Sequence, residues 1–258
     1  MEFVVVIPAR YDSERLPGKP LREINGKTMI EHVYQRGLES DAKEVIIATD
    51  DERIAEAAEA FGATVCMTGD QHRSGTERIA EVADVLDWNN ETIVVNLQGD
   101  EPAMPPALIN QCARLLDDLT VDVSTLASPI ASQADFDDPN VVKVVLNAED
   151  DAIYFSRATV PYPRSEDKNR KAMDSALHHH GIYGYRCGIL RQLVAAEASP
   201  LELAEHLEQL RALSLGMRIR VGRPDTRPGK GVDTEVDLEA AAVELQSSPP
   251  SVSIKPTS

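Results

Sequence analysis

Val4-Val5-Val6-Ile7 runs straight into Pro8-Ala9-Arg10-Tyr11-Asp12-Ser13-Glu14-Arg15-Leu16-Pro17-Gly18-Lys19-Pro20-Leu21, a junction that sets the architecture. An unbroken β-branched run of this length reads as a strand buried on both faces, as in the middle of a parallel sheet. The strand gives way to a turn-rich loop with four basic and two acidic residues between Arg10 and Arg22. Ligands of open α/β sheets bind beyond the carboxyl ends of the strands, which is where this loop must lie. It contains neither G-x-x-x-x-G-K-[ST] nor a dinucleotide fingerprint. Phosphates would instead be met by Arg10, Arg15 and Lys19 and by backbone amides near Gly18. A solvated surface loop is the alternative.

Similar short strands are expected at Val45 to Ala48, Thr64 to Met67 and Thr92 to Asn96. Amphipathic stripes separate them: Met29, Ile30, Val33, Tyr34 and Leu38, then Ile79, Val82, Ala83 and Leu86. This alternation predicts an α/β fold with a mostly parallel central sheet flanked by helices. After a helix that begins near Pro106, strands at Val123 to Ala127, Val141 to Leu146, Ala152 to Phe155 and Gly181 to Arg186 come with few helices between them. An antiparallel arm is expected there. The polar stretch Arg164 to Ser175 reads as a surface loop or lid, or as a disordered insertion. One helix carrying Leu203, Leu207 and Leu210 on a stripe should come next, then a last strand and helix. We expect a single domain over residues 1–245, with an elaboration at about 125–190 for sugar binding and dimerisation, and a disordered Ser/Pro-rich tail at 246–258.

The chain has 258 residues, 42% of them apolar, which is enough for a large core. Its formal charge of −17 excludes a general affinity for nucleic acid or anionic membranes, so an anionic substrate needs a local exception to that field. The first apolar run is too short for a signal peptide or a membrane span, and a cytoplasmic protein without membrane insertion is expected. Cys66, Cys112 and Cys187 have no paired spacing and are read as buried thiols.

Two acidic positions complete the pattern. Asn96-Leu97-Gln98-Gly99-Asp100-Glu101-Pro102 ends the fourth strand, and Gly229-Lys230-Gly231-Val232-Asp233-Thr234 forms a Gly-rich turn before the last helix. A magnesium ion on nucleotide phosphates takes one or two protein carboxylates and keeps waters. Asp100 and Asp233 are the candidates. Asp100 could equally shape a turn, and the Asp233 region could equally serve a Thr234/Asp237 capping box.

Ile7-Pro8-Ala9-Arg10-Tyr11 with Arg15-Leu16-Pro17-Gly18-Lys19-Pro20-Leu21 resembles the opening of the CMP-Kdo synthetases, the 3-deoxy-manno-octulosonate cytidylyltransferases. Further blocks are similar and occur in the family's order. They are Ser74 to Arg78, Asn96 to Pro102, Tyr154 to Ala158, Gly181 to Arg186, Ser199 to Glu202 with Leu207 to Arg211, and Gly231 to Thr234.

The resemblance implies a Rossmann-like nucleotide-diphospho-sugar transferase fold, a homodimer, CTP, a 3-deoxy-ulosonic acid and Mg²⁺. It implies that Arg10, Arg15 and Lys19, with Ser13 beside them, meet the CTP triphosphate, that Ser74 and Arg78 help read cytosine, and that Asp100 and Asp233 hold magnesium. Gln98, Arg157, His179, Tyr183, Glu208 and Gln209 would line the sugar pocket. His180 departs from the apolar residue more usual in the family, and the Arg164 to Ser175 loop has little family character.

If His178, His179 and His180 lie in a strand, His179 and Tyr183 share one face and the other two histidines the opposite one. A metal site on His178 and His180 is a competing reading. The reaction implied is transfer of CMP from CTP to the anomeric 2-hydroxyl of the sugar acid, as for lipopolysaccharide precursors. An 8-amino or sialic acid substrate, a sugar-1-phosphate nucleotidyltransferase and a non-catalytic nucleotide binder are the rivals. The Gly-rich opening expected of the sugar-1-phosphate enzymes is absent.

Overall fold

The computed structural model describes residues 1–247 except Glu14, 165–168, Asp225, Arg227 and Lys230. Two compact units emerge: one holds residues 2–87, 95–110 and 228 onward, the other residues 88–94 and 111–227.

The first unit is the parallel α/β half. Its opening strand, Val4–Ala9, pairs in parallel with Glu44–Thr49, which pairs in parallel with Thr64–Met67. On the other side of the opening strand, the Leu97 amide donates to the Val6 carbonyl at 3.1 Å, just past the end of strand Ile93–Asn96. Val5, Val6 and Ile7 are fully buried, as expected of a central strand. Helices Met29–Leu38, Glu52–Ala60 and Gly75–Val85 begin at Thr28, Asp51 and Ser74, whose side-chain oxygens accept the first free amides. The expected strands are present with ends shifted by a residue or two, and the apolar stripes are buried except at their last members, Leu38 and Leu86, which are exposed.

Helix Glu235–Ser247 closes this unit on the basic loop. Leu16, Ile24 and Met29 pack with Val232, Leu238 and Ala241 in one apolar cluster. Arg22 pairs with Glu235 at 2.6 Å, and the Asn25 amide donates to the Ala242 carbonyl at 2.8 Å. The helix runs two residues into the stretch read as tail, and the rest of that stretch lies outside the described residues.

The second unit carries the antiparallel pairing. Strand Ala176–Arg186 pairs antiparallel with Val123–Pro129 and with Lys143–Leu146, which pairs antiparallel with Ala152–Ser156. Ile219–Gly222 adds a parallel edge beside Val123–Pro129. The long strand starts five residues earlier than the sequence indicates, and before it a short helix, Asn169–Asp174, occupies part of the expected loop. Residues 165–168 of that loop lie outside the described residues.

The single helix expected through Leu203, Leu207 and Leu210 is instead two short ones, Pro200–Glu205 and Gln209–Ser214. A Ser199/Glu202 capping box starts the first, and His206 ends it in a left-handed conformation at φ 52°. Leu203 is consequently 62% exposed, while Leu207 and Leu210 are buried. The three cysteines are buried free thiols, and burial pushes Cys112 up to about 12.

Candidate active site

The first unit holds a cleft of about 870 Å³ at the carboxyl ends of its strands. Arg10, Arg15, Lys19, Arg73 and Arg78 line it against Asp12, Asp100 and Asp233, so this acidic chain does contain a cationic hollow. Ser13, Ser74 and Gln98 line it as well.

The loop's shape is set by its residues. Gly18 adopts φ 64°, and a Cβ there would sit 3.2 Å from the Tyr11 ring. The Arg53 guanidinium covers that ring at 3.3 Å and is held by Asp51, so Tyr11 is clamped. Ser13 accepts the Leu16 amide at 3.3 Å, turning the chain. Gly99 has a sharper requirement: a Cβ would lie 2.9 Å from the Pro8 carbonyl oxygen, so no side chain lets the Gln98-Gly99-Asp100 turn approach the opening strand this closely.

Asp100 and Asp233 converge. The Lys19 ammonium donates to Asp100 Oδ2 at 2.6 Å and to Asp233 Oδ1 at 3.0 Å, and Arg15 meets Asp233 Oδ2 at 3.0 Å. A backbone bond joins the two turns, from the Val232 amide to the Asp100 carbonyl at 2.9 Å. Burial pulls the Lys19 pKa down, but Asp100 and Asp233 outweigh it and hold the ammonium above its ordinary range. The capping reading of the second turn holds too: Thr234 donates to Asp237 Oδ2 at 2.7 Å, and the Asp237 amide returns to Thr234. Capping therefore falls to Thr234 and Asp237, leaving the Asp233 carboxylate directed at Lys19 and Arg15.

Glu101 escaped the sequence reading. Burial, and then the negative charge of Asp100, push its carboxyl up to about 8. Among the described residues no group of three His, Cys, Asp or Glu side chains could hold a metal alone. Two hard carboxylates that already share one cation do fit a magnesium ion whose other ligands are phosphate and water.

The cleft wall at Ser74 and Arg78 is more structural than expected. Ser74 Oγ caps its helix by accepting the Glu77 amide at 3.2 Å. Arg78, only 4% exposed, bonds Thr68 Oγ1, the Gly69 carbonyl at 3.3 Å and Asp50 at 3.3 Å. His72 and Arg73, which also line the cleft, were missed, although they directly precede the Ser74 block.

Of the expected sugar residues, Gln98 stands in this cleft and the rest belong to the second unit. There Tyr183, Glu208 and Gln209 meet around a hollow of about 20 Å³ with Val123, Tyr185, Leu193 and Ala212. Gln209 is 8% exposed, and its carboxamide makes no hydrogen bond among the described residues. Glu208 lies at the start of the second short helix rather than within a long one. Arg211 fixes that helix to its predecessor through a two-pronged pair with Glu202, at 2.5 and 2.8 Å.

His179 and Tyr183 share a face, their rings 5.3 Å apart. The bulge between His180 and Tyr183 sets three steps against one on the partner strand, an even surplus that preserves facing. Thr125 Oγ1 lies 2.7 Å from the Ile182 carbonyl, 3.2 Å from the His180 carbonyl and 3.0 Å from His179 Nε2, which ties the imidazole to the neighbouring strand. Burial, then His180 and His178, lower His179 to about 3, which keeps it neutral. Burial, reinforced by Tyr185 and Glu208, raises Tyr183 well above its ordinary value, which keeps it neutral too. The rings of His178 and His180 lie 5.0 Å apart on the opposite face, where His180 bonds Ser128, and no third metal-binding side chain joins them among the described residues.

Arg157 does not line either hollow. Its guanidinium donates to the carbonyls of Glu205 at 2.8 Å, Pro139 at 3.1 Å and His206 at 3.4 Å, while Glu205 accepts its amide. It thus secures the end of the helix that precedes Glu208. Lys143, fully buried, adds bonds to the carbonyls of Asp138 and Arg157.

The cytidylyltransferase family model matches residues 4–219. A solved structure of a CMP:2-keto-3-deoxy-manno-octonic acid synthetase complexed with CTP is 43% identical, with a TM-score of 0.88, over 95% of this chain and 99% of that one. A cytidylyltransferase from Leptospira borgpetersenii serovar Hardjo-bovis, 16% identical over 96% of this chain and 87% of that one, shares the fold with a TM-score of 0.62.

Proposed function

This chain belongs to the cytidylyltransferase family, and we propose that it transfers CMP from CTP to the anomeric 2-hydroxyl of 3-deoxy-D-manno-octulosonate, releasing pyrophosphate. The observation that carries this reading is a single ammonium, Lys19, hydrogen-bonded to two carboxylates from distant turns inside an otherwise cationic cleft.

In this reading Arg10, Arg15 and Lys19 bind and orient the triphosphate, with Ser13 shaping the loop that presents them. Asp100 and Asp233 would hold magnesium, which supplies charge neutralisation at the phosphates and a lower pKa for the attacking hydroxyl. The sugar's 2-oxygen attacks the α-phosphorus, the bond to the β-phosphate oxygen breaks, and the hydroxyl proton is lost to solvent. Arg15 and Lys19 stabilise the departing pyrophosphate.

For the sugar acid, the unpartnered Gln209 carboxamide, Glu208 and Tyr183 supply hydrogen bonds to hydroxyl groups. His179 acts as a neutral imidazole and Gln98 serves from the nucleotide cleft, while Arg157 acts indirectly by holding the chain before Glu208 through the Glu205 and His206 carbonyls. A cytoplasmic homodimer belongs to the same reading and rests on the family resemblance. Among the described residues no helix is long and apolar enough to cross a membrane.

The test is pyrophosphate release with four nucleoside triphosphates crossed against 3-deoxy-D-manno-octulosonate, its 8-amino analogue and a sialic acid, alongside sedimentation for the dimer. Turnover confined to CTP and the first sugar is expected. Preference for another ulosonate would reassign the substrate, and no release with any pair would leave a nucleotide-binding protein.

A further inference from the structure

We propose that Glu81 and His72 are a positioning pair for the nucleoside part of CTP: His72 touches the nucleoside, and Glu81 holds His72 in place. The proposal rests on the reading of the large cleft as the CTP site. Between strand Thr64–Met67 and the Ser74 cap, residues 68–73 form no regular element, yet His72 and Arg73 line the cleft. A wall of this kind needs side chains to fix it. Two residues on one face of helix Gly75–Val85, three positions apart, do so.

Arg78 grips the start of the segment at Thr68 and Gly69. Glu81 grips its middle, where one oxygen, Oε2, accepts the Gly69 amide at 2.9 Å and also meets His72 Nε2. A carboxylate that accepts a backbone amide and an imidazole on one oxygen is held in a single orientation, and it fixes the ring in turn. Burial favours the neutral form of Glu81, but His72 and the Gly69 amide overcome this and hold its carboxyl below the usual range.

With Nε2 committed to Glu81, Nδ1 is the ring atom left for a ligand. The cations assigned to the phosphates, Arg10, Arg15 and Lys19, come from a different segment of the lining, the loop after the first strand. An extended nucleotide with its triphosphate there lays its nucleoside along the segment that carries His72.

Calorimetry with CMP and with inorganic tripolyphosphate separates the two ends of the ligand. His72→Ala and Glu81→Ala should each weaken CMP about tenfold while tripolyphosphate binds within twofold of wild type. The double variant should be no weaker than His72→Ala alone, because Glu81 acts through the ring. In turnover, the KM for CTP should rise with kcat and the sugar KM near wild type. CMP affinity within twofold of wild type in His72→Ala, or equal losses for CMP and tripolyphosphate, would overturn the proposal. If Glu81→Ala fails to fold, His72→Asn decides the matter by the same measurement. A wild-type protein that binds neither ligand would instead overturn the CTP reading itself.

Discussion

In the unit built on the opening strand, five cationic side chains face about 870 Å³ of open cleft, held by a clamped loop, a glycine contact and an apolar cluster. In the other unit, Tyr183, Tyr185, Glu208 and Gln209 close around about 20 Å³, room for roughly one water. Four of the cations of the first are paired with carboxylates: Arg15 with Asp233, Lys19 with Asp100 and Asp233, Arg73 with Glu77 and Arg78 with Asp50. The residues of the second are mostly neutral and pack against one another, as in the His179 contacts with Tyr183 at 5.3 Å and Phe155 at 5.0 Å. On the proposed assignment, a triphosphate would find a prepared electrostatic site, whereas a sugar acid would have to displace protein contacts to enter, so binding free energy would be spent there on rearrangement.

The largest effect expected from this contrast is at Asp100. Asp100→Ala should lower kcat by about a thousandfold or more at saturating Mg²⁺ with unfolding unchanged. Near-normal turnover would erase the prepared-site half of the comparison. In the second unit, Gln209→Ala should raise the sugar KM about tenfold and leave the CTP KM alone, since one buried hydrogen bond is lost. An effect on CTP instead would mean that the two halves are not separate in function.

Arg157→Ala should act more weakly on binding, raising the sugar KM by a few fold and more than that for CTP. It should also lower Tm by about 4–8 °C, because three bonds to backbone carbonyls disappear. A pure KM effect with unchanged Tm would return Arg157 to direct contact with the sugar.

A further effect, on stability rather than turnover, concerns pH. The His179 pKa falls from 6.5 when unfolded to about 3 when folded, so the unfolded chain binds the proton more readily. Stability is therefore fully present above pH 6.5 and is lost as pH falls towards 3, by about 2 kcal/mol at pH 5. Urea unfolding of wild type and His179→Gln at pH 7 and pH 5 should show that the variant loses less. Equal losses would mean that His179 is not buried as described.

Much of this was legible in the sequence because it depends on local pattern. Val4 to Ile7 can only be a central strand, and the loop after it declares its charge. The facing of His179 and Tyr183 comes from strand periodicity. The features that stayed hidden depend on contacts between distant segments or on a single torsion. Nothing local to Leu207 to Arg211 announces that His206 turns left-handed and splits one helix into two. Arg157 looks like a carboxylate binder until its partners at Glu205, Pro139 and His206 are seen. Arg78 and Ser74 carry the family pattern, but their side chains largely build the wall on which His72 and Arg73 stand. Glu81 sits on an ordinary helical face, and only the fold brings Gly69 and His72 to it.

Manganese binding followed by electron paramagnetic resonance, with CTP bound, reports on whether Asp100 and Asp233 share one divalent ion. Asp100→Asn and Asp233→Asn should each weaken Mn²⁺ at least tenfold while CTP still binds. Wild-type Mn²⁺ affinity in both variants would show that these carboxylates do not hold the ion, and the account of the cleft as a metal-nucleotide site would fail.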